Sequence, residues 1–236
     1  MLDTIQTKIF ADGADLDGIL RLAADPLIGG FTTNPTLMWK AGLTDYGDFA
    51  KRLLECIRDK PISFEVFADT ESEIRRQARL LASTGPNVYV KIPVTTTTGE
   101  SMAPLVRELS EDGVQVNVTA LFTTAQVELI TAAVADGAPS CISVFAGRIA
   151  DAGIDPLPIM RKSLDIMSAA PRAELIWASP REVLNLVQAN EIGCHIITMT
   201  HDLLPKVKSL GKDLTVFSLE TVQMFRRDAV AAGFSL

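Results

Sequence analysis

Apolar and polar positions alternate with a period of two in short stretches along the chain. In Val114-Gln115-Val116-Asn117-Val118-Thr119 the valines share one face and Gln115, Asn117 and Thr119 the other. In Ile62-Ser63-Phe64-Glu65-Val66 the apolar residues share one face, and Ser63 and Glu65 the other. In Val88-Tyr89-Val90-Lys91-Ile92-Pro93 the valines and Ile92 share one face, and Tyr89, Lys91 and Pro93 the other. Extended over the sequence, the pattern predicts strands at 7–12, 30–33, 62–68, 88–94, 114–121, 141–145, 174–179 and 195–199. Helical stretches are predicted to begin near Asp15, Thr36, Glu71, Ser101, Thr124, Pro156, Pro180 and Asp202, and a last amphipathic helix to cover 218–232. Strands alternating with helices imply a parallel sheet. Eight such units in 236 residues fit an α/β protein of the (β/α)8 TIM barrel type, a fold of about 250 residues, with an extra C-terminal amphipathic helix. The competing arrangement is a doubly wound open sheet. Its strands would be apolar on both faces, and no Gly-x-Gly-x-x-Gly turn follows any strand here. No linker, repeat or charge run marks a boundary, so residues 1–236 are expected to form a single barrel domain.

Composition narrows the classes. The chain is 47% hydrophobic and 22% charged, an ordinary balance for a packed core. A net charge of −7 argues against a general nucleic-acid binder and leaves room for a small anionic substrate held by a few local arginines. Apolar runs are too short to span a bilayer, and Met1-Leu2-Asp3-Thr4-Ile5-Gln6 does not resemble a secretory leader, so no membrane partner and a cytoplasmic location are expected. Cys56, Cys141 and Cys194 are far apart and odd in number, as in a reduced protein. The two histidines, His195 and His201, have no Cys or Glu at ligand spacing and are read as structural; no metal is expected.

Lys91 stands out because an ammonium inside a protein is costly unless paired. Burial makes the neutral amine accessible, which is the condition for a lysine that attacks a carbonyl carbon. Taken alone, a strand lysine more often snorkels to solvent or satisfies a structural carboxylate. The other strand ends weigh against that. In a (β/α)8 barrel, functional groups come from the C-terminal ends of strands and the loops after them. The predicted strands put Asp12, Asn34, Glu65, Lys91, Asn117, Thr119, Ser143, Phe145 and Ser179 there. This set holds a nucleophile, two carboxylates and neutral hydrogen-bonding groups, the equipment of imine chemistry with acid–base steps.

Each member also has a plain structural reading. Asn34 before Pro35 is a natural helix cap, and for that residue alone capping is the better reading. Asp15 and Asp17 are read as capping residues. The acidic run 12–18 does not fit a calcium loop, since with Gly18 as the turn glycine Gly13 and Ala24 would fill the first and last ligand positions. Glu65 in mid-strand resists a plain reading, because an unpaired buried carboxylate is expensive. Arg148 follows the sixth strand and Arg181 the seventh; guanidinium groups near a helix N-terminus suit a phosphate or other oxyanion, and barrels often bind phosphate with the loops after strands seven and eight. A surface ion pair is the commoner fate of either arginine alone.

Several segments resemble one known family. Gly30-Phe31-Thr32-Thr33-Asn34-Pro35-Thr36 resembles the Thr-Thr-Asn-Pro signature of the transaldolase family, and Val90-Lys91-Ile92-Pro93-Val94-Thr95 its Schiff-base lysine motif. Asn117-Val118-Thr119, Ser143-Val144-Phe145-Ala146-Gly147-Arg148 and Ser179-Pro180-Arg181 resemble later family motifs in the same order. The compact length is similar to the small subfamily that includes fructose-6-phosphate aldolase. The opening around Asp12 and Gly13 departs from the family's Leu-Asp-Thr/Ser pattern, and Pro180 stands where an aromatic is common.

The resemblance implies a transferase or lyase that uses no metal or cofactor. Lys91 would form an imine with a ketose phosphate, and Asp12 would take and return the proton of the hydroxyl at the breaking carbon–carbon bond. Glu65 with Thr119 would shuttle protons through a water. Asn34 and Asn117 would hold the dihydroxyacetone hydroxyls, Thr33 and Phe145 would bind substrate, and Arg148, Ser179 and Arg181 would hold the phosphate, with Ser143 nearby. Aldolases of the subfamily tend to carry Gln and Tyr where this chain has Glu65 and Phe145, so the resemblance favours a transaldolase of the pentose phosphate pathway. Donors would be sedoheptulose 7-phosphate or fructose 6-phosphate; acceptors would be glyceraldehyde 3-phosphate or erythrose 4-phosphate. A fructose-6-phosphate aldolase that releases dihydroxyacetone, an enzyme for a sulfonated sugar and a non-catalytic sugar-phosphate-binding barrel are the other readings. The resemblance also implies a ring-like homo-oligomer, a pentamer or decamer, with the last helix packed on a neighbouring subunit.

Overall fold

The computed structural model describes residues 2–235. Eight parallel strands close in sequence order into a barrel. They are β1 (Lys8–Asp12), β2 (Ile28–Thr32), β3 (Ile62–Glu65), β4 (Val88–Pro93), β5 (Val116–Leu121), β6 (Ser140–Val144), β7 (Ala173–Trp177) and β8 (Ile196–Thr200). The helices are α1 (Leu16–Ala23), α2 (Pro35–Lys40), α3 (Tyr46–Cys56), α4 (Glu71–Ala82), α5 (Ala103–Glu111), α6 (Thr124–Val134), α7 (Ala146–Asp151), α8 (Pro156–Met167), α9 (Leu184–Glu191) and α10 (Leu214–Ala231). This is the (β/α)8 barrel that the alternation predicts, and the C-terminal helix is present.

The period-two pattern sorts side chains into two apolar layers. Outward residues such as Phe31, Phe64, Val90, Ile92, Val116, Val118 and Trp177 are buried under the surrounding helices. Inside the barrel, Phe10, Cys141, Ile176 and Ile196 pack together with half-buried Tyr89 and Phe145. That inner cluster closes the barrel beneath the polar ends of the strands, so the interior is a packed core with an open mouth.

Several elements depart from the expected boundaries. β3 ends at Glu65, so 66–68 belong to the loop beyond it. Two helices were not expected separately: α3, capped by Asp45 accepting from Asp48 N, and α7, a short turn on from Phe145. The helix expected near Pro180 starts at Leu184, because the Asn185 side chain takes up the amides of Arg181 and Glu182 before regular helix begins. After β8 the chain forms a 3-10 turn over Leu204–Ser209 containing Pro205. The last helix starts at Leu214 instead of 218, because Asp213 caps it by accepting from Thr215 N and Val216 N.

α10 is unlike the other helices. None of its residues is buried, and Phe217, Leu219, Val222 and Phe225 face outward. Its own barrel therefore leaves the helix uncovered.

Candidate active site

Register brings the polar set together. Parallel pairing sets Glu65 of β3 beside Lys91 of β4, and Lys91 beside Asn117 of β5. Pro93 pairs with Thr119, and Asp12 of β1 pairs with Thr32 of β2 and Thr200 of β8. Asp12, Thr32, Glu65, Lys91, Asn117, Thr119 and Thr200 line one cleft of about 540 Å³ at the carboxyl ends of the strands.

Lys91 is 7% exposed. Its Nζ lies 3.1 Å from Glu65 Oε2 and donates to the main-chain oxygen of Thr33 at 2.8 Å. The buried ammonium is thus both charge-paired and hydrogen-bonded, as a buried charge must be. Snorkelling is excluded; pairing with a carboxylate is observed, and that carboxylate shares the cleft. Thr33 enters the site through its carbonyl, while its hydroxyl donates to Ser63 O. Every other expected site residue lines the cleft: Asp12, Asn34, Glu65, Lys91, Asn117, Thr119, Ser143, Phe145, Arg148, Ser179 and Arg181.

Asn117 is fully buried. Its Oδ1 accepts from Ser143 Oγ at 2.7 Å, and its Nδ2 donates to Ser63 Oγ at 2.9 Å. This relay ties three strands across the interior. Beside it, Thr119 Oγ1 is buried and has no partner among the described residues, which leaves it available to a molecule in the cleft.

Asp12 Oδ1 accepts from Thr32 Oγ1 at 2.8 Å. Burial pushes the Asp12 carboxyl above the usual carboxylate range, opposed by the charge of Lys91, the Thr32 hydrogen bond and His201. Asn34 has two positions at once: it caps α2 by accepting from Leu37 N at 2.9 Å, and it lines the cleft. Behind Glu65, Tyr46 of α3 donates its phenol to the Glu65 carbonyl at 2.8 Å and packs against Phe64 and Phe67.

The late arginines are arranged differently from each other. Arg181 makes a two-pronged ion pair with Asp151 of α7, through Nε at 2.9 Å and a second contact between its terminal nitrogen and Oδ2. This pairing holds the Asp151 carboxyl below the usual range. Arg148 lies 5.4 Å from the centre of the Phe145 ring. The two loops that carry these residues touch: a Cβ on Gly147 would stand 1.5 Å from the Ser179 carbonyl oxygen, so only glycine fits there. Ser179 (φ 62°) and Ala120 (φ 63°), both on the cleft wall, adopt the left-handed backbone region that non-glycine residues avoid.

Sequence reasoning missed some members. Ser63 was placed on the right face but not in the site; its link to Asn117 spans 54 residues. Thr32, Thr198 and Thr200 also line the cleft. Thr32 lies within the Thr-Thr-Asn-Pro segment, and Thr198 and Thr200 alternate along β8, so the period-two pattern held a signal for all three. Lys40 lines the rim from α2, and its sequence context carried no signal.

The fold and the cleft together define a (β/α)8 barrel with a lysine-centred polar mouth. The chain belongs to the transaldolase/fructose-6-phosphate aldolase family, whose profile matches residues 9–236. A "Probable transaldolase" of Thermoanaerobacter sp. is 35% identical over 230 residues, covering 97% of this chain and 100% of the relative. A "Probable transaldolase 2" of Listeria monocytogenes serovar 1/2a is 34% identical over 203 residues, covering 86% of this chain and 88% of the relative. Among solved structures, dihydrodipicolinate synthase from Rhodopseudomonas palustris matches with a TM-score of 0.59 at 17% identity, over 83% of this chain and 70% of that one. That likeness concerns the fold alone.

Two outcomes are expected. The folded-state pKa of Asp12 lies above its unfolded one, so stability falls as pH rises through that window and stays lower above it. Asp12→Asn should therefore raise the thermal midpoint at about pH 7, and the gain should vanish below about pH 4. Calorimetry across that range checks this; a lower midpoint at neutral pH would contradict burial as the dominant influence. Gly147→Ala should destabilise the protein by about 2 kcal/mol or more through overpacking against Ser179, read from denaturant unfolding. An unchanged midpoint would mean the two loops separate freely.

Proposed function

We propose that the protein is a transaldolase that transfers a dihydroxyacetone unit from a ketose phosphate to an aldose phosphate through an imine on Lys91. The observation that carries this reading is the buried Lys91 amine at the floor of the cleft, 3.1 Å from Glu65 and sharing the cleft with Asp12. Family membership supports the reaction type.

In this mechanism Glu65 accepts a proton from the Lys91 ammonium, and the free amine attacks the ketose C2 carbonyl. Glu65, with Thr119 and a water, then delivers the proton with which the C2 oxygen leaves as water. The resulting iminium draws the electrons of the C3–C4 bond as that bond breaks. Asp12 takes the C4 hydroxyl proton, the aldehyde departs, and an enamine remains on Lys91. The enamine carbon attacks the acceptor aldehyde, Asp12 returns its proton to the new hydroxyl, and water hydrolyses the imine. Asn34 and Asn117 hold the dihydroxyacetone hydroxyls, with Thr33, Ser143 and Phe145 around them. Arg148, Ser179 and Arg181 receive the headgroup.

One observation favours a second reading of the headgroup. Arg181 already has Asp151 across its guanidinium, and Arg148 has no carboxylate within ion-pair distance among the described residues. That charge balance suits a monoanion such as a sulfonate.

The same proposal includes a homo-oligomer. The exposed apolar residues of α10 lie on a helix its own barrel does not bury. A groove between α3 and α4, lined by Leu54, Phe67, Leu80 and Leu81, offers a matching surface on a second copy.

Borohydride with fructose 6-phosphate should trap a covalent adduct on Lys91, seen by mass spectrometry and absent in a folded Lys91→Ala protein. No adduct, or one untouched by that substitution, would sink the mechanism. Turnover should depend on an erythrose 4-phosphate acceptor; equal release of dihydroxyacetone without it would indicate the aldolase. Running phosphorylated and sulfonated ketoses side by side separates the two headgroups. For the assembly, Phe225→Asp should reduce the mass measured by light scattering to that of a smaller species. An unchanged mass would remove α10 from the interface.

A further inference from the structure

The headgroup end of the cleft holds a carboxylate that the proposed mechanism does not use. Arg148 and Asp151 both belong to α7, three residues apart, and so share one side of that short helix. Arg181 comes from the loop after β7. That loop is pressed onto α7: Gly147 N donates to Ala178 O at 3.3 Å, and the Ser179 carbonyl fills the place that a Cβ on Gly147 would need. The three charged side chains are therefore carried by two segments in fixed contact. Arg148 and Arg181 line the cleft, and Asp151 does not. It reaches the cleft through Arg181, taking Nε and a terminal nitrogen with its two carboxylate oxygens. A guanidinium presents that same fork to a phosphate or another oxyanion. Both members of the pair are about half exposed, and an exposed ion pair adds little to stability. Stability alone thus gives no strong reason for an acid at this position.

We propose that Asp151 is a positioning residue that sets the headgroup charge: by holding both prongs of Arg181 it leaves Arg148 as the uncompensated cation of this wall, and the site selects a singly charged oxyanion over a doubly charged one. This rests on the reading of Arg148 and Arg181 as the headgroup contacts of a ketose, and it names the charge state they accept. Two headgroups share that chemistry, a phosphate monoester that keeps one proton and a sulfonate. Asp151 is faced by Arg181 across the two loops and by Arg148 on its own helix. The Arg181 hydrogen bonds, and after them the charges of both arginines, hold its carboxyl below the usual range, so it stays ionised where sugar phosphates change charge. On α8, the next helix, the capping Asp155 accepts from Leu157 N at 3.0 Å. Arg148 lies against the Phe145 ring, with no carboxylate at ion-pair distance among the described residues. Lys40 lines the rim from α2, and β2 is four strands from β6 in the closed order, so this lysine stands across the mouth. A dianion on Arg148 and Arg181 would meet the Asp151 carboxylate behind the guanidinium and leave excess negative charge, whereas a monoanion balances.

The test uses the full-length protein and two ligands without a carbonyl, which form no imine: a hexitol 6-phosphate and the corresponding 6-sulfonate. Each is titrated by calorimetry from about pH 5 to about pH 8, across the second phosphate pKa of about 6. The sulfonate keeps one charge throughout and reports any titration of the protein itself. Relative to it, the phosphate should lose affinity by about fivefold or more as it becomes a dianion. In Asp151→Asn, which keeps an acceptor for Arg181 Nε, that loss should disappear, and the ratio at the alkaline end should move toward the phosphate by a similar factor. Asp151→Glu should retain the wild-type order. In turnover with fructose 6-phosphate, the effect of Asp151→Asn should fall on KM more than on kcat. A wild-type ratio that stays level with pH, or that moves toward the phosphate as it gains its second charge, would overturn the proposal. So would an Asp151→Asn protein with native circular dichroism that loses affinity for both ligands equally, which is what a brace for Arg181 alone would give. Binding of neither ligand would remove the two arginines from headgroup recognition, and the proposal with them. Adduct trapping on Lys91 is read separately: it decides the imine, and these titrations decide the headgroup.

Discussion

The pairing of Lys91 with Glu65 inside the barrel is the constraint around which the mouth is organised. Two opposite charges lie 3.1 Å apart where water is scarce. Each costs several kcal/mol to desolvate, and their attraction offsets this only with good geometry and further hydrogen bonds. The geometry comes from parallel register, which sets Glu65 directly beside Lys91. The further bond comes from the Thr33 carbonyl at the end of β2. Three successive strands must therefore be in register for one amine to be tolerated.

The rest of the interior divides by depth. Below, Phe10, Cys141, Ile176 and Ile196 fill the barrel and exclude water. Above, the Ser143–Asn117–Ser63 relay satisfies a fully buried amide without any formal charge. The lysine sits between an apolar floor and a neutral polar wall, so the carboxylates of Glu65 and Asp12 dominate the local field. Tyr46 extends this order outward. It joins α3, on the outside of the barrel, to the main chain that carries Glu65.

Much of this was legible in the sequence because period-two alternation decides which side of a strand faces inward. Lys91, Glu65, Asn117 and Thr119 all fell on the polar face of their predicted strands, and all line the cleft. The Thr-Thr-Asn-Pro segment was also informative, since Asn34 is both helix cap and cleft wall. Contacts that depend on distant segments were not legible. Ser63 reaches Asn117 only through barrel closure, and Asp151 meets Arg181 only because the loops after β6 and β7 touch. Helix starts shifted where side chains captured free amides, as Asn185 does before α9 and Asp213 does before α10.

Ala120 and Ser179 have a consequence for ligand recognition. Each holds a backbone shape that costs about 1–3 kcal/mol in a non-glycine residue, and both flank the cleft. That expense is incurred when the chain folds, before any ligand arrives. A molecule that fits this contour meets a wall already bent to receive it. The deformation should therefore be visible in the melting of the empty protein and missing from the enthalpy of binding.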